Sequence, residues 1–188
     1  MAAKNQPGLA ELLRFIARNE RLASTEAEFG LTQDQLKREL DKAAAKLNDG
    51  VAATFDKLSV YSDGAARGNP GLSGAGAVLV EPSGQVVDRL GKFLGIQTNN
   101  YAEYMGLLIG LRRARELGAR EIEVFADSEL MIRQLGGRYQ VKSPTLRPLY
   151  DEALKLLEGF SRTRLVHVPR EMNKLADEMS NRAIDERL

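Results

Sequence analysis

Four acidic residues could do chemistry together. Asp63 ends the first expected strand, after the β-forming run Lys57–Ser62, and leads into the turn-like stretch Gly64-Ala65-Ala66-Arg67-Gly68-Asn69-Pro70-Gly71. A carboxylate beside backbone so poor in side chains can hold a metal or meet a phosphate, although an Asp-Gly pair is also an ordinary turn. Asp127 follows Ile122-Glu123-Val124-Phe125-Ala126 and precedes Ser128. There it would cap a helix or, at the carboxyl end of a parallel strand, face a ligand. Glu103 lies one turn into a segment entered through Thr98-Asn99-Asn100, and Asp177 lies in Asn173-Lys174-Leu175-Ala176-Asp177-Glu178. Taken singly, the first suits a helix dipole and the second a solvated helix face. Taken together, in a chain with no Cys and one His, four carboxylates on four elements offer the oxygen ligands that Mg²⁺ prefers. The absence of Cys excludes disulfides, thiolate catalysis and Cys-based zinc or iron–sulfur sites.

The elements that must position these groups follow from periodicity. β-forming runs occupy Lys57–Ser62, Gly74–Glu81, Val86–Leu94, Glu121–Ala126 and Arg164–Val168. The Pro82-Ser83-Gly84 turn makes the second and third a hairpin. Helical spacing covers Asn99–Leu117, Ser128–Leu135, Thr145–Gly159 and Glu171–Arg187. The order β-β-β-α-β-α-α-β-α predicts an α/β fold: a mixed sheet, antiparallel in its first half and parallel in its second, with helices on its faces.

Residues 1–54 lack β-type runs and predict a small helical accessory domain, with residues 55–188 as the main domain. Leu9, Leu12, Leu13, Phe15 and Ile16 share one helical face, and Leu36, Leu40, Ala44 and Leu47 another. Thr32 and Gln35 have capping-box spacing, and Asn48-Asp49-Gly50 supplies a stop. Phe29-Gly30-Leu31-Thr32 partly matches the corner of a helix-turn-helix, but eight Lys or Arg against eight Asp or Glu in this segment favour a docking or structural unit over a DNA-binding one. The whole chain of 188 residues carries a net charge of only +1, which neither announces nor excludes a nucleic-acid partner. Without a membrane-spanning apolar run or a signal-type apolar core near Met1, the chain is expected to be cytoplasmic.

Four stretches, in order and on the expected elements, carry a resemblance: Tyr61-Ser62-Asp63-Gly64-Ala65-Ala66-Arg67-Gly68-Asn69-Pro70-Gly71, Thr98-Asn99-Asn100-Tyr101-Ala102-Glu103, Ala126-Asp127-Ser128-Glu129-Leu130 and Asn173-Lys174-Leu175-Ala176-Asp177. From about Leu58 to Leu188 the chain resembles ribonuclease H type 1. The resemblance implies a five-stranded mixed sheet of order 3-2-1-4-5 and an endonuclease that hydrolyses the RNA strand of RNA–DNA hybrids to 5′-phosphate and 3′-hydroxyl products; a monomer is expected, although the sequence itself does not show the oligomeric state. It implies two Mg²⁺ ions, replaceable by Mn²⁺: Asp63 shared between them, Glu103 and Asp127 on one, Asp177 on the other. Asn69, Asn99 and Asn100 match positions that read 2′-hydroxyls, Gly64 lies in the same substrate-binding stretch, and Thr98 and Ser143 are candidates for holding a phosphate of the DNA strand.

The sequence departs from the family in three places. Arg133–Tyr150 looks too short for the extra helix and basic protrusion of many bacterial members, as in the compact archaeal-type branch, which raises double-stranded RNA as a second substrate; the other alternative, a non-catalytic nucleic-acid-binding module on the same fold, is disfavoured by the four filled acidic positions. Glu129 stands where many relatives have Gln. The family's mobile loop His has no counterpart, because His167 falls inside the expected last strand between Val166 and Val168 and reads as a partly buried structural residue. Arg170, in the following loop, is the candidate there: it could stabilise phosphate or leaving-group charge but cannot act as a base.

Overall fold

The structure is a computed structural model that describes residues 55–188 together with Gly30, Thr32, Gln35, Leu36 and Arg38. The chain divides into two units, Met1–Ala52 and Ala53–Leu188. In the first, the capping box expected at Thr32 is formed. The Gln35 N–H donates to Thr32 Oγ1 at 3.3 Å, and the Thr32 N–H donates to Gln35 Oε1 at 2.9 Å. The face Leu9 to Ile16, the Asn48-Asp49-Gly50 stop and the remaining helix-turn-helix positions lie outside the described residues.

The second unit runs β1 (Lys57–Gly68), β2 (Gly71–Val80), β3 (Val86–Gln97), α1 (Asn99–Glu116), β4 (Glu121–Ala126), α2 (Glu129–Leu135), α3 (Arg147–Glu158), β5 (Arg162–His167), a 3₁₀ turn (Arg170–Met172) and α4 (Lys174–Glu186). The five strands form one sheet of order β3-β2-β1-β4-β5, antiparallel across β1–β2–β3 and parallel across β1–β4–β5. Strand alternation sorts the residues. Leu58, Val60, Ile122 and Val124 are buried in the core with Leu107, Leu108 and Leu111 of α1, while Lys57, Tyr61, Glu123 and Phe125 take the other face. Each such buried aliphatic side chain contributes roughly 1.5–3 kcal/mol. The first face is layered by α1, with α3 packed on it; α4 covers the opposite face over β1, β2 and β3.

Asp63 does not end the first strand, because β1 continues through Gly68 in register with β2, from Asp63↔Gly76 to Gly68↔Gly71. The Gly- and Ala-rich stretch reads as a turn because turns and closely covered strands both need small residues. At Gly64 an added Cβ would lie 2.1 Å from the Glu103 backbone nitrogen, and at Gly106 one would lie 2.3 Å from the Asp63 carbonyl oxygen. These two glycines let the start of α1 lie directly on β1. The parallel pairing with β4 does stop beside Asp63, at Ser62↔Ala126, so Asp63 and Asp127 emerge together at the carboxyl edge of the parallel strands.

The last helix is also interrupted. A 3₁₀ turn precedes Asn173, and α4 starts at Lys174, which puts Asp177 in its first turn.

Candidate active site

The close seat of α1 on β1 brings Glu103 against Asp63, and the paired ends of β1 and β4 bring Asp127 beside both. One carboxylate oxygen from each of Asp63, Glu103 and Asp127 lies within 4.8 Å of the others. Asp63 is 5% exposed and Glu103 7%; Asp127 is half-buried. So small a separation among acids demands a counter-charge or bound protons.

Each carboxylate is oriented by a neighbour. Ser180 Oγ lies 2.5 Å from Asp63 Oδ2 and 2.9 Å from the Asp177 carbonyl oxygen. Asn173 spends both Nδ2 protons, on Asp127 Oδ1 and on the Ser62 carbonyl, each at 2.9 Å. Asn99 Nδ2 donates to Glu103 Oε1 at 3.4 Å, and the nearby backbone N–H of buried Gly64 favours the charged form of that carboxylate. Glu103 Oε2 is buried and finds no hydrogen-bond partner among the described residues.

The electrostatics follow from this geometry. Burial lifts Asp63 from the ordinary 3.8 to about 6; the Ser180 hydroxyl and the Arg170 charge oppose the rise, and the charges of Asp127 and Asp177 add to it. Burial, then the charges of Asp63 and Asp127, raise Glu103 well above its usual range despite the bonds from Asn99 and Gly64. A buried carboxylate oxygen left without a partner costs free energy that a hard divalent cation would recover. The three-acid cluster with its orphaned Glu103 oxygen therefore fits a divalent metal ion.

Asp177 stands outside this trio. Its Oδ1 accepts from Arg170 Nε at 3.1 Å and Nη2 at 2.5 Å, and its side chain is 28% exposed. Arg170, 72% exposed at its side chain, is thus tied to the fourth acidic residue, from which a phosphate could draw it. Asn69 Oδ1 accepts from the Asn99 N–H at 3.1 Å, which joins the β1–β2 turn to the start of α1. Thr98 caps α1 through the Tyr101 N–H, and Asn100 is exposed beside it. Ser143 belongs to the turn into α3, where its Oγ accepts from the Leu146 N–H at 3.4 Å.

The expectation of a partly buried His167 does not hold. His167 is exposed at the end of β5, because β5 is the sheet's edge and the seven-residue α2 is too short to cover its tip. Two orienting residues had no assigned role in the sequence reading. Ser180 lies three positions after Asp177, on the same face of α4. Asn173 opens the stretch that ends at Asp177, yet only the folded chain sets it between the ends of β1 and β4.

A family model described as reverse transcriptase-like matches residues 61–183. The "Ribonuclease HI" of Halobacterium salinarum is 41% identical over 130 residues, which cover 69% of this chain and 65% of that protein. The "Bifunctional protein Rv2228c" of Mycobacterium tuberculosis is 42% identical over 130 residues, 69% of this chain and 36% of that protein. The chain thus spans about two-thirds of one relative's length and about a third of the other's. Among solved structures, that of LC11-RNase H1 in complex with an RNA/DNA hybrid is 38% identical with a TM-score of 0.66, over 69% of this chain and 98% of that one. By these identities, with a sheet of order β3-β2-β1-β4-β5 and a carboxylate cluster at the edge of its parallel strands, the chain belongs to the ribonuclease H type 1 family.

Proposed function

We propose that this chain is a divalent-metal-dependent endonuclease that cuts the RNA strand of RNA–DNA hybrids and leaves 5′-phosphate and 3′-hydroxyl ends. The observation that carries this reading is the buried trio Asp63, Glu103 and Asp127, with one Glu103 oxygen unpartnered. A solved relative, LC11-RNase H1, was captured with such a hybrid, which supports the same substrate here.

Asp63, Glu103 and Asp127 would hold one Mg²⁺, and Asp63 with Asp177 a second; Mn²⁺ suits the same oxygen ligands. Bound in such a pair, the cations supply an activated water and neutralise charge on the phosphoryl and leaving oxygens. Everything else falls to the chain. Ser180, Asn173 and Asn99 hold the carboxylates in position, as outer hydrogen-bond partners do at metal sites. Arg170, drawn from Asp177 by a phosphate, would stabilise negative charge near the cut. Asn69 and Asn99, joined by the bond between them, and the adjacent Asn100 would read 2′-hydroxyls, whereas Gly64, buried beneath the start of α1 against Glu103, supports that residue and does not meet substrate itself. Thr98 and Ser143 would meet phosphates of the DNA strand. The direct run from α2 to α3 leaves out a basic protrusion, and this favours testing double-stranded RNA as a further substrate.

The test is cleavage of end-labelled hybrid, RNA duplex and DNA duplex of one sequence, with Mg²⁺, Mn²⁺ or EDTA. RNA-strand cleavage of the hybrid in either metal, none in EDTA, and products that a ligase joins through their 5′-phosphates are expected. Cleavage in EDTA or of the DNA strand would overturn the reading, and equal rates on RNA duplex would overturn strict hybrid specificity.

A further inference from the structure

We propose that the groove between α2 and β5 is a second nucleic-acid site, which takes phosphates of the RNA strand beyond the one being cut. This rests on the hybrid-cleaving reading above. The groove, of about 360 Å³, is rimmed by Glu129, Arg133, Arg138 and His167 and floored by Ile132 and Leu165.

Its charge is positive, with two guanidinium groups against one carboxylate, and that carboxylate is already engaged. Arg133 Nε and Nη2 both donate to Glu129 Oε1, at 3.0 and 2.6 Å, and Nη1 donates to the Tyr139 hydroxyl at 2.8 Å. The guanidinium carbon of Arg133 also sits 5.2 Å from the Tyr139 ring centroid. The chain after α2 is pinned to the same residue, since the Arg138 and Tyr139 N–H groups donate to the Arg133 carbonyl at 2.9 and 3.2 Å. Arg138 is therefore held at the rim by its backbone while its guanidinium makes no ion pair among the described residues. His167, exposed on the opposite rim, likewise has no side-chain hydrogen bond among them and is available to donate to an anionic oxygen.

Position decides the ligand. His167 is the register partner of Ala126, the residue before Asp127, and the Val168 N–H donates to the Ala126 carbonyl at 3.0 Å. Side chains alternate, so His167 faces the α2 side of the sheet's carboxyl edge while Asp127 joins the carboxylates. Adjacent strands lie ~4.8 Å apart, and phosphates recur about every 3.4 Å of axis along one nucleic-acid strand. A strand with one phosphate over Asp63 and Asp127 would carry its next phosphates along this edge toward the groove, and guanidinium groups are the side chains best suited to them.

The experiment measures hybrid affinity by fluorescence anisotropy at 50 and 200 mM salt in an Asp63→Asn background, and kcat and KM in the otherwise wild-type chain. Arg138→Ala and His167→Ala should each weaken binding and raise KM while kcat stays within about twofold. For Arg138→Ala the ratio of Kd at 200 mM to Kd at 50 mM should fall about threefold, the salt signature of one lost phosphate contact. Glu129→Gln, which removes the rim's negative charge and frees Arg133, should move affinity the other way. Unchanged Kd and salt ratio for Arg138→Ala, with a wild type that cuts hybrid normally, would overturn the groove. A wild type that cuts no hybrid would instead overturn the proposed function, and the same binding series run on single-stranded RNA would then judge the groove by the same criterion.

Discussion

Asp63→Asn should make the metal-free protein more stable while it removes catalysis. In the folded chain Asp63 titrates at about 6 against an ordinary 3.8, chiefly because it is buried. Between those values the native state keeps a proton that the unfolded state has already lost. Native stability therefore falls as pH rises from 3.8 to about 6, and the loss is complete above that range. About two pH units at ~1.4 kcal/mol each give a cost of ~3 kcal/mol at pH 8 without metal. Asn is nearly isosteric, still accepts from Ser180, and carries no charge to desolvate. For a domain of this size, recovering ~3 kcal/mol corresponds to roughly 10 °C in Tm. Thermal unfolding in EDTA at pH 8 should show that gain, and at pH 4, where most of the Asp63 cost is absent, the two proteins should nearly coincide. Saturating Mg²⁺ should then raise wild-type stability, by ~2.7 kcal/mol at a hundred times Kd, and raise the variant much less. A variant no more stable than wild type at pH 8 in EDTA, or one that gains as much from Mg²⁺, would refute the reasoning that burial of this carboxylate is repaid by a cation.

The same geometry yields three further outcomes. Divalent-ion affinity, followed by calorimetry from pH 5 to 8, should climb as pH passes through about 6, because the proton that burial holds on Asp63 must leave before its oxygens can ligate; a flat profile would contradict this. Asn173→Ala frees the Asp127 carboxylate from its 2.9 Å donor and should lower metal affinity or kcat by roughly 10–100-fold while the fold survives in circular dichroism. Gly106→Ala puts a Cβ 2.3 Å from the Asp63 carbonyl oxygen. It should cost ~1–3 kcal/mol in urea unfolding and weaken metal binding as α1 is pushed off β1, whereas Ala at exposed Gly84, with nothing within 4 Å of an added Cβ, should leave metal binding intact.

Much of the site was legible in the chain because its chemistry sits on regular elements. The runs Leu58–Val60 and Ile122–Val124 alternate strictly, so they announce strands, and the residues just past their pairing, Asp63 and Asp127, emerge together wherever such strands are parallel. Glu103 was harder to read, since a Glu early in a helix is ordinary, and what makes it special is the absence of side chains at Gly64 and Gly106 on two separate elements. Those same glycines hid the true length of β1: a backbone stretch thin enough to be crossed by a helix has the composition of a loop. Asn173 and Ser180 were less legible still. Each makes one bond across more than a hundred residues, Asn173 to the Ser62 carbonyl and Ser180 to Asp63, and no local period encodes such a bond. The Arg170–Asp177 pair makes the point in the opposite direction, for both residues drew notice separately while their union depended on the 3₁₀ turn at Arg170–Met172 that lifts one onto the other. Local pattern places the carboxylates at one edge of the sheet, and close backbone contact then turns that edge into a site whose unbalanced charge calls for a cation.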